Sequence, residues 1–572
     1  MPSISLRQGA ILVFGAFIAR ILYNAVAASV KTYITKRDTI MLDLPELGKS
    51  RPKDKKIKGT AVVCGGSFSG LWTARFLTDH FEDVLIVEAE AWLGTPEGQT
   101  PKYDSSGAII DSGNIHPRTR AYQNHCTHAL HSFPYKIMKQ LYPSLDDEVV
   151  KFDGRVAESD HNAYVFGKKI LQTPLSEDGT RPKSWFLSRE ALERLLRKLV
   201  LGNSPSIRWL AGTAKGLEVS KDNLDRVTGV EVRLPDNTEK VIPATLVVDC
   251  TGSTQAGLKW LKRIGSPADK TGGGKLSLED AKTFYNVKQW TRTYRFPAPP
   301  EARSRLPIPG GYDKAVWMFT YFPLFGRGRR SFLIDKIEGH RIRIMFGAWG
   351  DERPPDFHEI NDYIRHINPD EKMPEWIHEL VDILLENKDK AEITDTKYPP
   401  LTYLRYDKLA YVPSNFIAVG DSVMQPNPTF GQGIAKACVC SVTVDSLLRS
   451  KEMIESTTIP TGFSTKFFKV QAQRTESAWN GAKAIDYLFP FTVPMKGEKR
   501  RDGLLDAKLT GLLLLLGRTD DVVMKTVYNS FGFMASPLEL LHPSILIRLA
   551  IFRAKQLLGF DFDPYAMYEF TE

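Results

Sequence analysis

Short apolar runs that end in small or acidic residues recur along the chain and predict buried strands. Residues 61–64 precede a small-residue turn at 65–70, and residues 71–80 continue with helical periodicity. A second apolar run at 84–87 ends at Glu88. Later runs at 246–248 and 416–419 end in the same way. This alternation of strand and helix patterns predicts an α/β fold with a doubly wound sheet.

One amphipathic helix is predicted to follow Ser188, with the leucines at 192, 195, 196 and 199 as its buried stripe. Serine is a good N-cap, which places Arg189 in the exposed first turn. Arginine opposes the helix dipole there. It is either a solvated charge or an arginine kept for an anionic or polar cofactor edge.

The first strand, turn and helix have the plan of a dinucleotide-binding βαβ unit. Gly65 allows the turn, and Gly70 lets the helix pack closely on the strand. Glu88 is expected to take the ribose hydroxyls. Ser67 stands where the pattern has its middle glycine. The strand before the turn and the acid after it favour this interpretation over an ordinary glycine-rich loop.

Two later apolar runs are also followed by an acidic residue. Asp249 follows the strand at 246–248, at the sheet edge where doubly wound folds keep their ligands. The strand at 416–419 runs into Gly420 and Asp421, and Gly431 and Gly433 then open a helix whose N–H groups can bind an electron-rich group. Together these segments predict one large bipartite cofactor.

A stretch at 111–145 is rich in histidine and arginine and is a candidate for contact with cofactor or substrate. The candidate site residues in this stretch are Arg118, His125 and His128, and the two histidines are candidate catalytic residues. Metal binding is a poor interpretation, because no acid or cysteine stands at ligand spacing.

The pattern of residues 280–412 predicts a mostly antiparallel sheet. Its aromatic residues are either core or an apolar roof over the cofactor.

The apolar run at 10–30 is long enough to cross a bilayer, which takes about 20 residues. Arg20 makes it a poor span, so a signal anchor, a cleaved signal peptide and a helix lying on the membrane all stay open. Basic residues follow the run and predict a membrane-associated protein whose catalytic part is cytosolic, at the endoplasmic reticulum if the source is eukaryotic. Residues 545–560 are either a basic surface helix or a buried cap.

Composition excludes several classes of protein. The 572 residues carry a net charge of +9, but no basic stripe interleaved with aromatic residues indicates nucleic-acid binding. The five cysteines form no Cys-x-x-Cys pair, which argues against disulfides and zinc.

The motifs resemble those of flavin-dependent monooxygenases of the aromatic-hydroxylase (p-hydroxybenzoate hydroxylase-like) fold, and finer matches resemble the polyene and polyketide epoxidases. Those finer matches are at 249–252, 260–261, 347–355, 405–406, 427–433, Trp479 and Asp486. The sequence departs from the branch at Ser67, at 424–426 and in the spacing of His125 and His128.

The resemblance implies an FAD site. Its adenosine end lies at 65–70 and Glu88, Arg189 contacts the flavin, and Gly420 and Asp421 hold the ribityl chain and pyrophosphate. The residues implied along the isoalloxazine ring are Pro428, Thr429, Gly431, Gln432 and Gly433.

The patterns along the chain, together with the resemblance from about residue 58 onwards, predict a division of the chain. It comprises an N-terminal anchor or targeting segment (1–38), a linker (39–58), an FAD-binding Rossmann-like domain in two parts (59–275 and 413–450), a mixed-sheet substrate domain (276–412) and a helical, apolar C-terminal region (451–572), for which membrane contact stays open.

The implied activity is insertion of one oxygen atom of O2 into a lipophilic alkene of a polyketide or terpenoid, as an epoxidation with or without rearrangement. A reductase or dehydrogenase of the same fold, an aromatic hydroxylase and a non-catalytic binding protein are the alternatives. Electrons would come from NADPH or NADH, or from a partner flavin or cytochrome reductase. The other expected partners are a lipophilic small molecule and a membrane.

Overall fold

The computed structural model describes residues 6–110, 118, 121, 123–165, 168–170, 172–176, 178–220, 223–265, 275–323, 326, 328–367 and 372–560. Much of the histidine- and arginine-rich stretch, including residues 111–117, 119, 120 and 122, lies outside these ranges.

Within the described ranges the helices are α1 (Leu6–Asp38), α2 (Phe68–Leu77), α3 (Pro96–Gln99), α4 (Ser132–Leu141), α5 (Leu145–Lys151), α6 (Arg189–Asn203), α7 (Ala256–Arg263), α8 (Pro300–Arg303), α9 (Ile360–Arg365), α10 (Glu375–Leu385), α11 (Gly433–Leu448), α12 (Phe463–Asp486), α13 (Leu504–Leu516), α14 (Asp521–Phe531) and α15 (Pro543–Leu557).

The strands of the same ranges are β1 (Ile57–Cys64), β2 (Phe81–Glu88), β3 (Arg155–Glu158), β4 (Ala163–Val165), β5 (Lys168–Lys169), β6 (Lys183–Phe186), β7 (Ile207–Ala211), β8 (Thr213–Ser220), β9 (Asn223–Arg233), β10 (Glu239–Pro243), β11 (Leu246–Asp249), β12 (Lys282–Tyr285), β13 (Gln289–Pro297), β14 (Trp317–Phe322), β15 (Arg330–Ile337), β16 (Arg341–Trp349), β17 (Glu392–Lys397), β18 (Leu401–Leu404), β19 (Phe416–Ala418) and β20 (Met424–Gln425).

A five-stranded parallel sheet in the order β19-β11-β1-β2-β7 forms the centre of the fold. Val63 of β1 pairs with Ile86 of β2 on one side and with Val248 of β11 on the other. Helix α2 connects β1 to β2, as the sequence pattern predicts. Because the strands are parallel, their carboxyl ends meet at one edge, and this edge brings together Cys64, Glu88 and Asp249.

A seven-stranded mixed sheet in the order β17-β13-β16-β15-β14-β4-β5 forms the second lobe. Strands β4 and β5 also belong to this sheet, because β4 pairs with β14 in parallel. The sequence places these two strands in the FAD-binding domain. The aromatic side chains of the mixed sheet pack under α9 and α10 as a separate core, with Phe296, Phe332 and Phe346 at most 1% exposed. These aromatic residues are therefore core, which is one of the two interpretations that the sequence left open.

The N-terminal segment differs from its prediction. In the described part of the chain no helix, α1 included, combines the length and apolar character needed to cross a membrane. This corrects the expectation of a membrane-spanning helix at 10–30. The segment predicted as a linker, 39–58, packs on the main core through Ile40, Leu44 and Leu47. All three side chains are buried, at most 6% exposed.

The C-terminal helices pack against both the mixed sheet and the loop that precedes α11. Leu513, Leu516, Val523 and Phe552 are buried in one cluster, which Phe430 also joins. The leucine-rich segment of α13 is thus a packing element.

Candidate functional site

A cavity opens at the carboxyl edge of the five-stranded sheet. Its walls include the predicted cofactor residues Gly65, Ser67, Glu88, Arg118, Arg189, Asp421, Pro428, Gly431 and Gly433, together with His128. The structure therefore brings both ends of the predicted bipartite site to one cavity. Gly70, Asp249, Gly420, Gln432 and His125 do not contribute walls among the described residues.

The turn after β1 is held by close backbone packing. A Cβ atom on Gly70 would lie 1.8 Å from the Gly65 carbonyl oxygen, so only glycine fits there. Glu88 Oε2 accepts the Gly66 N–H at 2.7 Å, and Glu88 Oε1 accepts the Glu90 N–H at 3.0 Å. The carboxylate that is predicted to take ribose hydroxyls therefore lies against the turn, at the cavity wall.

Ser67 is connected to a buried charge cluster centred on Glu193. The Ser67 hydroxyl donates to Glu193 Oε2 at 2.8 Å. Arg118, Arg189 and Arg197 lie 2.9, 3.2 and 2.6 Å from the same carboxylate. Burial alone would raise the pKa of Glu193, but these three guanidinium groups lower it to about 2. Glu193 is therefore ionised at neutral pH and fixes two arginines that line the cavity.

Arg189 begins α6 after the Ser188 N-cap, whose hydroxyl accepts the Ala191 N–H at 3.1 Å. This cap and the buried leucine stripe of α6 confirm the sequence prediction. The Arg189 side chain is only 12% exposed and donates to Asn124 Oδ1 at 2.8 Å. The solvated-charge interpretation of Arg189 is therefore wrong.

Asp249 is used within the protein. Its carboxylate accepts the Thr251 N–H at 2.8 Å, the Gly257 N–H at 2.8 Å and the Ser422 hydroxyl at 3.1 Å. It shapes the turn at 250–254, which lines the cavity. Burial raises the pKa of Asp249, although these hydrogen bonds oppose the shift.

Residues 427–433, called the glycine loop from here on, precede α11. Gly431 has a φ of +67°, and a Cβ there would lie 2.7 Å from the Ala129 Cβ. Gly433 is open, because a Cβ there would meet no atom within 4 Å. Gln432 turns away from the cavity and donates to the Phe531 carbonyl at 2.9 Å.

Lys436 is a buried cation that the sequence analysis did not single out. Its side chain is 1% exposed, and its Nζ lies 2.8 Å from Asp421 Oδ1 and also donates to the Met424 carbonyl. A lysine among the apolar residues of the first half of α11 is the signal that could have indicated it.

The two candidate histidines have different surroundings, and no helix contains them. His128 lines the cavity, and its Nδ1 lies 3.0 Å from the Cys126 carbonyl oxygen. Burial and then the charge of Arg189 lower the pKa of His128 to about 3, so it is neutral at neutral pH. His125 lies between Glu190 Oε2, at 3.4 Å, and Arg295 Nη1, at 2.9 Å.

The face of the mixed sheet opposite its aromatic core is partly apolar, with Trp317, Leu333 and Met345 in a small cluster. Polar residues of the same face meet the segments around the cavity. Thr429 of the glycine loop donates through its hydroxyl to Gln289 Oε1 of β13 at 2.9 Å. Arg343 of β16 donates to the Cys126 carbonyl at 3.3 Å. Alternation along β13 puts Thr291, Thr293 and Arg295 on the same face as Gln289.

Further walls come from residues beside those predicted, and residues 212–214 among them belong to no recognisable motif. These walls include Gly66, Phe68, Ser69, Ala121, Gln123, Gly212, Thr213, Ala214, Gly252, Ser253, Thr254, Gln425, Pro426 and Ile434. Glu193 could have been found from its spacing, because it stands four residues from both Arg189 and Arg197 on one helix.

No protein family model matches the chain. A curated relative, Protein Rv3254 of Mycobacterium tuberculosis, is 24% identical over 399 residues, which cover 66% of this chain and 70% of that protein.

Solved structures give a broader match. A flavoprotein/dehydrogenase from Cytophaga hutchinsonii has a TM-score of 0.50 at 10% identity and covers 88% of this chain and 100% of its own. The flavin-dependent brominase Bmp2 has a TM-score of 0.48 at 12% identity, covering 88% of this chain and 99% of its own. An oxygenase for 2-methyl-3-hydroxypyridine-5-carboxylic acid has a TM-score of 0.47 at 14% identity, covering 85% and 96%. The chain therefore shares the fold of the Cytophaga flavoprotein.

Proposed function

We propose that this protein is an FAD-dependent monooxygenase that transfers one oxygen atom of O2 to an electron-rich alkene of a lipophilic substrate. The observation that carries the proposal is the single cavity that joins the turn after β1 to the glycine loop. A dinucleotide has two ends, and two separate loops at one sheet edge suit both of them.

The residues of the cavity fit FAD. The N-terminus of α2 suits the pyrophosphate, and Arg189 and Arg118 lie at the same wall. Asp421 and the N-terminus of α11 suit the ribityl chain and the flavin edge, and Gly433 leaves free space beside that helix end. When bound, FAD would supply two-electron chemistry and the activation of oxygen.

The protein's own groups favour an alkene over a phenol as substrate. Phenol oxygenation calls for a general base that works near neutral pH. His128 lines the cavity, but its pKa of about 3 makes it a poor base, and His125 lies outside the described cavity walls, with its Nδ1 against Glu190 and Arg295. An electron-rich alkene reacts without being deprotonated, so this site suits it.

The chain's contribution to the reaction is positioning and exclusion of water. The glycine loop fixes one side of the cavity, and the C-terminal cluster around Phe430 covers the outside of that loop. A polyketide or terpenoid is the proposed substrate class, because the motifs at 249–252 and 427–433 resemble those of the polyene and polyketide epoxidases. Reduced nicotinamide, delivered directly or through a partner reductase, is the proposed electron source.

A dehydrogenase or reductase is the second candidate, because the Cytophaga protein that shares the fold is named a flavoprotein/dehydrogenase. The two candidates differ in whether oxygen enters the product.

Single turnover with reduced, FAD-loaded protein, labelled O2 and a panel of lipophilic polyenes tests the proposal by mass spectrometry. We expect one labelled oxygen atom per product, as an epoxide or its rearranged carbonyl. A product that changes only by two hydrogen atoms, without label, would overturn the monooxygenase and favour the second candidate.

A further inference from the structure

A chain of buried hydrogen bonds connects the end of α12 to the glycine loop. Asp486, the last residue of α12, is 1% exposed. The Asn427 side-chain Nδ2 donates to Asp486 Oδ1 at 2.7 Å, and the Tyr285 hydroxyl donates to Asp486 Oδ2 at 2.8 Å. All three side chains are at most 1% exposed, so water does not compete for these bonds.

Asn427 in turn caps the glycine loop. Its Oδ1 accepts the Thr429 N–H at 2.9 Å, at the start of the 3₁₀ turn Pro428–Phe430. An ionised carboxylate only accepts hydrogen bonds, so Asp486 attracts the NH2 side of the Asn427 amide. The carbonyl side of that amide is then left for Thr429. The orientation of the cap thus depends on Asp486.

We propose that Asp486 is a positioning residue for the cofactor: its carboxylate orients Asn427 and so holds the glycine loop in the shape that receives the flavin. This inference rests on the proposed function, because the glycine loop is taken as the flavin edge of the FAD site. Asp486 itself does not line the cavity formed by the described residues.

The same contact makes the loop sensitive to pH. Burial raises the pKa of Asp486 to about 7, although the hydrogen bonds from Tyr285 and Asn427 lower it. The neighbouring titratable groups are Tyr285 and Tyr487, and Tyr487 donates to Glu498, which also pairs with Lys483. Burial raises the pKa of Tyr285 and of Tyr487, so neither phenol ionises near neutrality. A rise in pH through about 7 therefore ionises Asp486 and strengthens its hold on Asn427.

The test compares Asp486→Asn with Thr492→Val. Asparagine keeps the size of the side chain and removes its titration. Thr492 donates to the backbone carbonyl of Asp486 at 2.6 Å, so its change disturbs the same helix end without touching the carboxyl group. FAD affinity of the apoprotein is measured by flavin fluorescence between about pH 6 and about pH 8.5, on either side of the Asp486 transition. Hydrogen exchange of a peptide spanning 427–433 is measured in the apoprotein.

For wild type we expect FAD affinity to increase about fivefold as the pH rises through neutrality. The increase corresponds to the difference in strength between a hydrogen bond to a charged carboxylate and one to a neutral carboxyl group. Asp486→Asn should remove this rise, bind FAD about fivefold more weakly at about pH 8, and exchange faster in 427–433. Thr492→Val should keep the wild-type pH profile. Equal affinity and exchange in wild type and Asp486→Asn, or the same change in Thr492→Val, would overturn the inference.

The two readouts also separate this inference from the proposed function. If wild-type apoprotein takes up no FAD at any pH, the proposed function fails. The exchange measurement needs no cofactor, and unchanged exchange in Asp486→Asn alone overturns the role of Asp486 in holding the loop.

Discussion

At the residue scale, Gly433 offers a direct probe of the cofactor site. A Cβ at this position meets no protein atom within 4 Å and projects from a residue that lines the cavity. We expect Gly433→Val to keep the thermal midpoint near that of wild type, because the side chain enters open space at a helix start. FAD binding should weaken at least about tenfold, as the valine takes up room beside the α11 N-terminus. Calorimetry and fluorescence titration of the apoprotein measure both quantities.

Gly431 is the matched control for that experiment. Its φ of +67° and its approach to Ala129 mean that Gly431→Val strains the loop whether or not FAD binds. We expect this variant to lose thermal stability and FAD affinity together. Full FAD affinity in Gly433→Val would contradict the placement of the cofactor beside α11.

Glu193 also has a testable role, as the anion that balances three buried arginines. Replacing it by glutamine leaves those charges without compensation, and we expect Glu193→Gln to cost about 3 kcal/mol of unfolding free energy. Asp83→Asn, which removes a surface pair with Arg208, should cost less than about 1 kcal/mol. Urea denaturation at neutral pH compares the two variants.

The pH dependence of that stability follows from the lowered pKa of Glu193. Because the folded-state pKa is about 2, the stabilisation is complete above the unfolded value of about 4.3 and is lost as the pH falls towards the folded one. The difference in unfolding free energy between wild type and Glu193→Gln should therefore shrink between about pH 5 and about pH 2. A constant difference over this range would contradict an ionised Glu193.

At the scale of elements, α1 carries an apolar surface that the described residues leave in solvent. Its exposed side chains include Phe14, Phe17, Ile21, Leu22 and Val26 at 51 to 65% exposure, with Lys31, Lys36 and Arg37 towards its end. An exposed apolar surface of this size indicates a contact surface, and the basic residues beside it suit an anionic membrane. We expect the protein to float with vesicles that contain anionic lipid, and deletion of residues 1–33 to lower the bound fraction about tenfold.

A charge change provides the control for α1. Lys31→Gln should reduce binding only slightly, whereas Phe17→Asp with Ile21→Asp should act like the deletion, if apolar contact dominates. If full-length protein stays unbound and forms dimers that the deletion dissolves, the apolar surface is an interface between two copies.

At the scale of the whole molecule, the cavity depends on segments that are far apart in the chain. The turn after β1, residues 212–214, residues 250–254 and the glycine loop reach it from four different strand ends. A ligand that contacts all of them stabilises the folded state more than a ligand that contacts one.

We therefore expect FAD to raise the thermal midpoint more than FMN or ADP does at equal concentration. At a hundred times its dissociation constant, a single ligand adds about 2.7 kcal/mol of stability, which calorimetry detects. Equal shifts with FMN and FAD would show that the adenosine end of the site, near Glu88, is not used.

The strands of the parallel sheet could be predicted from the sequence. They are buried on both faces, so each strand is a continuous apolar run. Residues 61–64, 84–87, 246–248 and 416–418 are continuous apolar runs, and each is a strand of that sheet. The Ser188 cap and the stripe of α6 were likewise readable, since caps and helical periodicity are local signals.

The sequence by itself determined the order of the motifs along the chain, the two loops and the acidic residues that follow the strands. Tertiary structure decided which of these groups face the cavity. The Asp249 carboxylate accepts hydrogen bonds from its own turn, and Gln432 donates to the end of α14. Glu193 lies beside three arginines. Tertiary structure also decided that one face of the mixed sheet lies under α9 and α10, while Gln289 on the other face contacts the glycine loop. The reason is that local pattern fixes which residues are buried, whereas the partner of a buried group depends on segments that approach from elsewhere in the chain.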